Sequence, residues 1–345
     1  MTKPLPRFTW HADSYDSSLA SIRYRLDAPL AALAARGVSI DRHDRAPEST
    51  DAILFCKSHG KQALEIAGHA RATGRTIVYD LCDNLFAAHR AGHVSVARLE
   101  RHRRILSLAD HIVFATPALA EQVARELPGG TAHRHVVPDV LDTGPPVLLD
   151  RPTALERWEL KRLDRFLARH ATALHCVWFG KSLGHESGYA HLDAAVARLA
   201  DHAGPVTLTV VSNARVKLWR AAARWPVPVH YMPWRLATSR VTLARHRLAI
   251  VPVGLNDYTT GKTINRPATA ILAGLGVVAD AIPSYEELRP YIALGDWPGG
   301  LDDYARWDTT TQARLADARA MLTGRYGQSA VAAQWQAVLD TVRAS

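Results

Sequence analysis

Lysine and cysteine are both scarce in this sequence of 345 residues. Only seven of its 42 basic residues are lysine, so each lysine can be considered individually. The three cysteines are far apart, and each lies in or beside an apolar run: Cys56, Cys82 and Cys176. This pattern excludes a disulfide framework and predicts buried, reduced thiols. The histidines are scattered, without an HExxH or CxxC pattern, so no metal site is expected.

Long apolar runs are missing as well. Arg, His or Asp interrupts every Ala/Leu-rich stretch before it reaches the roughly 18 residues that a bilayer span requires. Residues 1–11 lack the apolar centre of a signal peptide. These absences predict a cytoplasmic protein that does not cross a membrane. With 48% apolar and 22% charged residues the chain is of the globular class, and its length predicts about two domains.

The formal net charge is +9. A surplus of this size favours anionic partners such as phosphate-bearing substrates or the inner face of an anionic membrane, although an arginine-rich solvated surface would give the same number. Nucleic-acid binding is not favoured, because aromatic residues make up only 7% and no basic run interleaves with them.

Strand-like and helix-like segments alternate through the first half of the chain. The predicted strands are residues 7–10, 38–40, 52–56, 76–79 and 111–115. The predicted helices are residues 19–36, 62–72 and 96–108, and one more that Thr116 caps and Pro117 opens. Strands that alternate with helices of this length predict a Rossmann-like parallel sheet covered on both faces.

A second alternation follows the turn-forming residues 144–146. Its predicted strands are residues 174–179, 206–211, 229–232, 248–253 and 276–279, each nearly continuous in apolar residues as in a buried parallel sheet. The fold class is therefore α/β with two Rossmann-like domains. We expect residues 1–145 to form the first domain and residues 146–327 the second, with a last helix at about 328–345 packing back on the first.

Ligands of open parallel sheets bind at the carboxyl ends of the strands, so the loops there are the candidate sites. None of these loops carries the GxGxxG dinucleotide fingerprint or the GxxxxGK[ST] phosphate loop, which disfavours NAD dependence and P-loop hydrolysis. Asp83 and Asn84 follow a buried strand directly. Asp83 is a candidate general base or orienting carboxylate, and the alternative for it and for Asp80 is that they cap the following turn.

Basic residues follow several of the second-half strands. Lys181 and Ser182 follow one strand, and Lys262 and Arg266 precede a helix after another, an arrangement that suits a diphosphate. The alternative is that these side chains are only solvated. Arg235 follows Trp234, which either stacks on a ligand or fills the core. Arg23 and Arg25 are two residues apart and cannot share a helix face, so only one is expected to face a ligand.

The order of these pieces resembles the GT-B glycosyltransferases, near the family-4-like group (glycosyl transferases group 1 type), over nearly the whole chain. The resemblance lies in residues 21–25, Lys57, residues 76–84, 115–119 and 137–139, and above all residues 261–280. It implies two domains whose sheets face each other across a cleft. It also implies a nucleotide-activated sugar held by the C-terminal domain and a glycan or glycolipid acceptor held by the N-terminal domain. Transfer would need no obligatory metal and no cofactor.

The same resemblance assigns residues to roles. Asp83 and Lys262 would be catalytic. The donor would be held by Lys181, Ser182, Arg235, Asn265, Arg266 and Thr269, and the acceptor by His11, Asp13, Arg23, Lys57 and Asn84. Surface polysaccharide or glycoconjugate synthesis of the bacterial type would be the setting.

One departure from the family pattern bears on the donor. Many family-4-type enzymes carry two glutamates eight residues apart, and the corresponding positions here are Gly261 and Thr269. An unusual donor, including a sugar phosphate without a nucleotide, therefore stays open. The resemblance slightly favours retention of configuration, whereas inversion would need a base such as Asp83, Asp13 or His11. The alternatives are a nucleotide-sugar epimerase on the same fold and a non-catalytic sugar- or nucleotide-binding module.

Overall fold

The computed structural model describes residues 7–44, 50–142, 152–182 and 189–344. The chain divides into two compact units. Unit 1 comprises Met1–Thr143, Asn256–Thr263 and Thr323–Ser345, and unit 2 comprises Gly144–Leu255 and Ile264–Leu322. The boundary predicted at residue 145 lies outside the described residues. Residues 256–263 were expected in the C-terminal domain, whereas their contacts place them in unit 1.

Six parallel strands form the sheet of unit 1. They are β1 (Phe8–Ala12), β2 (Ile40–Arg42), β3 (Ala52–Cys56), β4 (Thr76–Leu81), β5 (His111–Phe114) and β6 (His133–Val136). Their order in the sheet is β2-β1-β3-β4-β5-β6, and every pairing is parallel. All residues of β1, β3 and β5 are buried because helices cover both faces of the sheet.

The helices of unit 1 begin and end close to the predicted segments, except for the one over residues 85–90, where a loop was expected. They are α1 (Ala20–Ile22), α2 (Ala28–Ala34), α3 (Lys61–Ala72), α4 (Leu85–Arg90), α5 (Val96–Leu108) and α6 (Pro117–Glu126). Thr116 caps α6 as predicted, accepting the N–H of Leu119 at 3.1 Å. The helix predicted over residues 19–36 is interrupted by a π-helical stretch, Arg23–Asp27, within which Arg25 is buried.

Unit 2 contains a second parallel sheet, ordered β12-β11-β10-β7-β8-β9. Its strands are β7 (Leu174–Phe179), β8 (Val206–Ser212), β9 (Val229–Pro233), β10 (Leu248–Val251), β11 (Gly276–Ala279) and the short β12 (Ala293–Leu294). Its helices are α7 (Ala154–Arg169), α8 (Leu192–Ala200), α9 (Arg215–Ala222), α10 (Leu236–Leu243), α11 (Asn265–Leu272), α12 (Trp297–Arg306) and most of α13 (Thr309–Tyr326). The prediction of two Rossmann-like parallel sheets is confirmed.

The last helix, α14 (Gln328–Ala344), belongs to unit 1 and packs against α2. Its buried face centres on Trp335, whose ring meets the ring of Trp10 edge-on with centroids 4.8 Å apart. Both indoles are fully buried, so α14 supplies part of the core of unit 1.

All three cysteines are free thiols. Cys56 and Cys176 are buried as predicted, whereas Cys82 is only half-buried. In the part of the chain that the structure describes, no helix has the length and apolarity needed to cross a membrane.

Candidate active site

The strand order of unit 1 reverses between β1 and β3, which is where ligands of open α/β sheets bind. The loop after β1 and the loop after β3 meet there. The carboxylate of Asp13 accepts hydrogen bonds from the backbone N–H groups of His59 (2.8 Å) and Gly60 (2.9 Å). These N–H groups precede α3, where a carboxylate is favoured by the unpaired donors of the helix N-terminus.

Lys57, the first residue after β3, has an unusual backbone conformation. Its φ is +49°, in the left-handed region that residues other than glycine rarely adopt. Its N–H donates to the carbonyl of Asp80 at 2.9 Å, which holds it beside the end of β4. Strain of this kind is concentrated at functional sites, and here it turns a lysine side chain out of the sheet edge.

The Lys57 ammonium forms an ion pair with Asp83, and Lys262 pairs with the other oxygen of the same carboxylate. The side chains of Lys57 and Lys262 are 32% and 31% exposed, whereas that of Asp83 is only 13% exposed. The three residues come from the loop after β3, the loop after β4 and the segment 256–263. We call them the Lys-Asp-Lys cluster. Its net charge is +1, with the negative group inside and the two positive groups reaching solvent.

The pKa values in the cluster follow from this arrangement. Burial by itself would raise the pKa of Asp83, but the charges of Lys262 and Lys57 outweigh it and hold that pKa well below its usual range. Conversely, burial alone would lower the pKa of both lysines, and the Asp83 charge instead raises each of them. All three groups are therefore ionised at neutral pH. A carboxylate with so low a pKa is a weak base, so the cluster favours an electrostatic role for Asp83.

Three side chains of the main body of unit 1 hold the segment that carries Lys262. Thr116 donates to the carbonyl of Gly261 at 3.0 Å. Gln122 donates to the Thr260 hydroxyl at 2.8 Å. The Asn84 amide bonds Gln122 at 3.0 Å and also caps α4, accepting the N–H of Ala87. The position of Lys262 beside Asp83 is thus fixed by polar contacts to α6 and to the start of α4.

Gly261 occupies one of the two positions at which the sequence departs from the family-4 pattern of two glutamates. A Cβ at this position would lie 2.7 Å from Oε1 of Gln122 and 3.4 Å from Leu119. Contacts that close do not occur without displacement of the neighbour, so any side chain at Gly261 would push Gln122 from its hydrogen bonds. Glycine at this position therefore leaves the Gln122 amide in its hydrogen-bonded place.

A fully buried ion-pair network lies behind the cluster. Arg25 donates to both carboxylate oxygens of Asp80, to the carbonyl of Val137 at 2.6 Å and to Asp139 at 3.3 Å. Asp80 lies at the carboxyl end of β4, where it anchors the strand rather than capping a turn. Arg25 points into the core, and Arg23 instead donates to the carbonyls of residues 17 and 18, both at 2.8 Å.

Histidines near the switch point are buried and neutral. Burial and the charge of His43 lower the pKa of His11 to about 4. Burial and the nearby Arg98 lower that of His59 to about 4 as well. Nε2 of His59 faces the Arg98 guanidinium, which carries only donors, so this nitrogen accepts and the proton resides on Nδ1. His59 Nδ1 is buried without a hydrogen-bond partner among the described residues.

In unit 2 the strand order reverses between β7 and β10, and the loop after β7 begins with Gly180. Arg266, on the first turn of α11, reaches this point. Its guanidinium lies 5.7 Å from the centroid of the Trp178 ring, and its Nη2 is 3.2 Å from where a Cβ on Gly180 would be. Within the described residues, no carboxylate lies within ion-pair distance of Arg266. A positive group that no described carboxylate neutralises thus stands at the ligand-binding end of this sheet.

The other predicted donor residues differ in how far they are committed to protein contacts. Lys181 is exposed, whereas Ser182 is buried, its N–H donating to Asn213 at 3.1 Å and its carbonyl accepting from Lys217 at 2.9 Å. Arg235 forms a two-pronged ion pair with Glu159, both bonds being 3.0 Å. Its guanidinium is therefore occupied by an ion pair within unit 2. Asn265 and Thr269 lie half-buried on α11, with Asn265 at its first position.

No group of three His, Cys, Asp or Glu side chains arranged to hold a metal was found among the described residues.

The structure brings Lys57, Asp83 and Lys262 together, and Asn84 next to them. The sequence did not indicate His59, Gln122 or the Arg25 network as parts of this site. A loop histidine, a glutamine on a helix and a buried arginine have no local sequence signal that marks them as parts of a site.

Neither a protein-family model nor a curated protein matches this sequence. Solved structures do match. HepE (Alr3699) of Anabaena, in complex with UDP, aligns with 97% of this chain and 100% of its own at 16% identity and a TM-score of 0.67. A UDP-forming α,α-trehalose-phosphate synthase of Burkholderia xenovorans, in complex with glucose-6-phosphate, aligns with 91% of this chain and 83% of its own (14% identity, TM-score 0.59).

TarM of S. aureus, as a point mutant in complex with fondaparinux, α-GlcNAc-glycerol and UDP, is similar over 84% of this chain and 55% of its own. The identity is 10% and the TM-score 0.56. These solved structures are GT-B glycosyltransferases. The chain has the GT-B fold, as the sequence predicted.

Proposed function

We propose that this chain is a glycosyltransferase that moves a sugar from a nucleotide-diphosphate donor to a glycan or glycolipid acceptor. The observation that carries the proposal is the Lys-Asp-Lys cluster. The cluster brings two ammonium groups together beside the carboxyl ends of β3 and β4. The fold of the chain is shared with proteins solved in complex with UDP. Fixed positive charge aimed at a developing phosphate charge is the main requirement for departure of a nucleoside diphosphate.

Unit 2 is assigned to the donor. Arg266 and the N-terminus of α11 offer a guanidinium and N–H donors at the switch point of the second sheet, the preferred place for a diphosphate. Lys181, exposed beside it, adds a second positive group. Asn265 and Thr269 are proposed to contact the donor, whereas Arg235 supports the site through Glu159.

Unit 1 is assigned to the acceptor and to the catalytic charges. Lys262 stabilises the leaving group and Asp83 orients Lys57 and Lys262, so Asp83 is a positioning residue. His11, Asp13, Arg23 and Asn84 shape the acceptor loops. Asp13 and Asn84 do so mainly by fixing backbone N–H groups.

We further propose that transfer retains the anomeric configuration. Retention depends on leaving-group stabilisation, whereas inversion needs a well-placed base. Each candidate base is unsuited to that role, because Asp83 holds two lysines, Asp13 accepts two backbone N–H groups, and His11 has a pKa of about 4. The product's anomeric configuration, determined by NMR, tests this assignment.

The activity is tested in two stages. A panel of nucleotides, nucleotide sugars and sugar phosphates is first screened by thermal shift, because a ligand that binds the native state raises its melting temperature. We expect a nucleoside diphosphate or its sugar to stabilise the protein and Arg266→Ala to abolish most of that shift. Turnover with the stabilising donor is then measured with candidate acceptors.

Lys61→Ala is the matched control for Lys262→Ala and Lys57→Ala, since Lys61 is an exposed lysine on the first turn of α3. Turnover should fall in the two cluster variants and persist in the control. Binding of donor without turnover for any acceptor would favour a binding module. Conversion of the donor sugar without an acceptor would favour an epimerase. Activity that persists in a chelator agrees with the proposed metal independence.

A further inference from the structure

Two helices of unit 2 leave large apolar side chains exposed beside arginines. On α7 these are Leu155 and Trp158, which are 54% and 50% exposed. On α9 they are Val216 and Trp219, which are 59% and 56% exposed. Isolated exposed apolar residues are ordinary, but a contiguous group of them marks an interaction site.

Beyond Leu155 and Trp158, the same exposed side of α7 carries arginines. Leu155, Trp158, Arg162, Arg165 and Arg169 follow one another at intervals of three and four residues, so they form one stripe along the helix. The three arginines are exposed. The guanidinium of Arg162 lies over the Trp158 ring, 4.8 Å from its centroid. The acidic residues of α7 nearest this stripe, Glu159 and Asp164, are paired with Arg235 and Arg245.

The exposed side of α9 has the same chemistry. The guanidinium of Arg215 lies 4.5 Å from the centroid of the Trp219 ring. The segment 213–225 carries four basic residues and no acidic one. Val216 and Trp219 are therefore surrounded by positive charge.

Both helices pack on β9, the edge strand of the sheet. Phe166 of α7 stacks on His230 of that strand, with centroids 5.1 Å apart. The pKa of His230 is lowered to about 4, first by burial and then by the charges of Arg162, Arg169 and Arg215. Arginines of both helices therefore lie close to His230. The stripes of α7 and α9 thus border the same sheet edge. We call Leu155, Trp158, Arg162, Arg165, Arg169, Arg215, Val216 and Trp219 the β9-edge surface.

We propose that the β9-edge surface docks on an anionic phospholipid surface. Tryptophan favours the boundary between lipid headgroups and acyl chains, exposed aliphatic side chains gain by leaving water there, and arginines pair with headgroup phosphates. Single-stranded nucleic acid would use the arginines and tryptophans but would leave Leu155 and Val216 in water. The combination therefore fits lipid better.

The β9-edge surface extends toward the donor end of unit 2. Glu159 of α7 binds Arg235, which directly follows β9, and α9 directly follows the loop after β8. The N-terminal halves of both helices therefore lie toward the carboxyl ends of the strands, the end to which the donor is assigned. The docking itself does not depend on the proposed transferase activity.

Cosedimentation of the full chain with vesicles tests the proposal in the absence of any sugar donor. Vesicles of phosphatidylcholine alone are compared with vesicles that also contain phosphatidylglycerol. We expect binding only to the anionic vesicles, a blue shift of tryptophan emission on binding, and weaker binding as salt rises. The double variants W158S/W219S and R162E/R215E should each weaken binding about tenfold or more.

The matched control is V96S/V136S, which removes two exposed apolar side chains of unit 1. It should bind anionic vesicles as the unchanged protein does. Each variant is also checked for an unchanged melting temperature without ligand, which shows that it is folded and keeps the docking test independent of donor binding.

Absence of binding to anionic vesicles would overturn the proposal. So would binding that W158S/W219S and R162E/R215E leave intact, since another surface would then be responsible. Tighter binding to single-stranded RNA than to anionic vesicles, lost in the same variants, would assign the surface to nucleic acid instead.

Discussion

The guanidinium of Arg25 donates to both carboxylate oxygens of Asp80, and the side chains of the two residues are each only 1% exposed. The pair ties the π-helical stretch of the first helical region to the end of β4. Burial raises the pKa of Asp80 and the Arg25 charge opposes that rise, so the carboxylate depends on its partner to remain ionised. The geometry of the strand end that leads to Asp83 therefore depends on one buried contact.

Removing either member of this pair should destabilise unit 1. We expect Arg25→Met to lower the free energy of unfolding by about 3–5 kcal/mol, because it leaves Asp80 buried without its partner. Asp80→Asn should cost less, since Arg25 keeps its ion pair with Asp139. Denaturant titration measures the loss. The matched control is the exposed pair Arg289–Glu286, where Arg289→Ala should leave the midpoint unchanged. If the double variant R25M/D80N lost as much as the two single variants added together, the two residues would not be coupled.

Asp83 should act together with its two lysines. We expect Asp83→Asn to lower kcat/KM about 100-fold, because the two ammonium groups lose the charge that orients them. In a double-mutant cycle, Lys57→Ala should cost much less in the Asp83→Asn background than in the unchanged protein. Steady-state kinetics measures both effects. Strictly additive losses would mean that Asp83 acts on substrate independently of Lys57.

Gly261 should tolerate no side chain while Gln122 keeps its hydrogen bonds. Gly261→Ala places a Cβ against Gln122 Oε1 at the far end of a flexible side chain. It should destabilise by about 1 kcal/mol through the hydrogen bonds that Gln122 loses, with a matching loss of activity from displacement of Lys262. Shortening the neighbour in G261A/Q122A should recover part of the stability by removing the clash, although activity stays low because the hydrogen bond to Thr260 is lost. Gly324→Ala is the control, since a Cβ at Gly324 meets no atom within 4 Å. No recovery in the double variant would place the conflict elsewhere.

His246 should make stability depend on pH in the mildly acidic range. Its ring is buried between the Thr209 hydroxyl, 2.8 Å from Nε2, and the end of α10, and burial lowers its pKa to about 4. The unfolded chain takes up this proton near pH 6.5, so the free energy of unfolding falls as the pH drops from about 6.5 to 4. One such group contributes about 3 kcal/mol over that range.

The measurement is the melting temperature between pH 7 and pH 5. His246→Gln should show a smaller decrease than the unchanged protein, because it has one fewer group to protonate on unfolding. His69→Gln, which replaces an exposed histidine on α3, should decrease as the unchanged protein does. An equal pH slope in all three proteins would show that His246 already carries its proton in the folded state.

Much of the fold was predictable because its determinants are local. Apolar, β-branched runs such as residues 52–56 and 248–251 form buried strands, and Thr116-Pro117 begins α6 as predicted. The two-residue strand β12 and the π-helical stretch Arg23–Asp27 were not predicted. The first is too short for a pattern, and the second accompanies burial of a residue whose partners lie 55 and 114 residues away.

By itself, the sequence determined that parallel strands would bring polar and basic loop residues to the carboxyl edges of two sheets. It also determined which of the few lysines follow predicted strands, because the order of strands and helices can be followed along the sequence. Only the tertiary structure decided that Lys262 joins Asp83 and Lys57 within unit 1, that Arg235 is used by Glu159, and that Arg266 has no carboxylate partner among the described residues. Such pairings depend on which distant side chains the packed helices bring within hydrogen-bond distance, and burial then sets their charges.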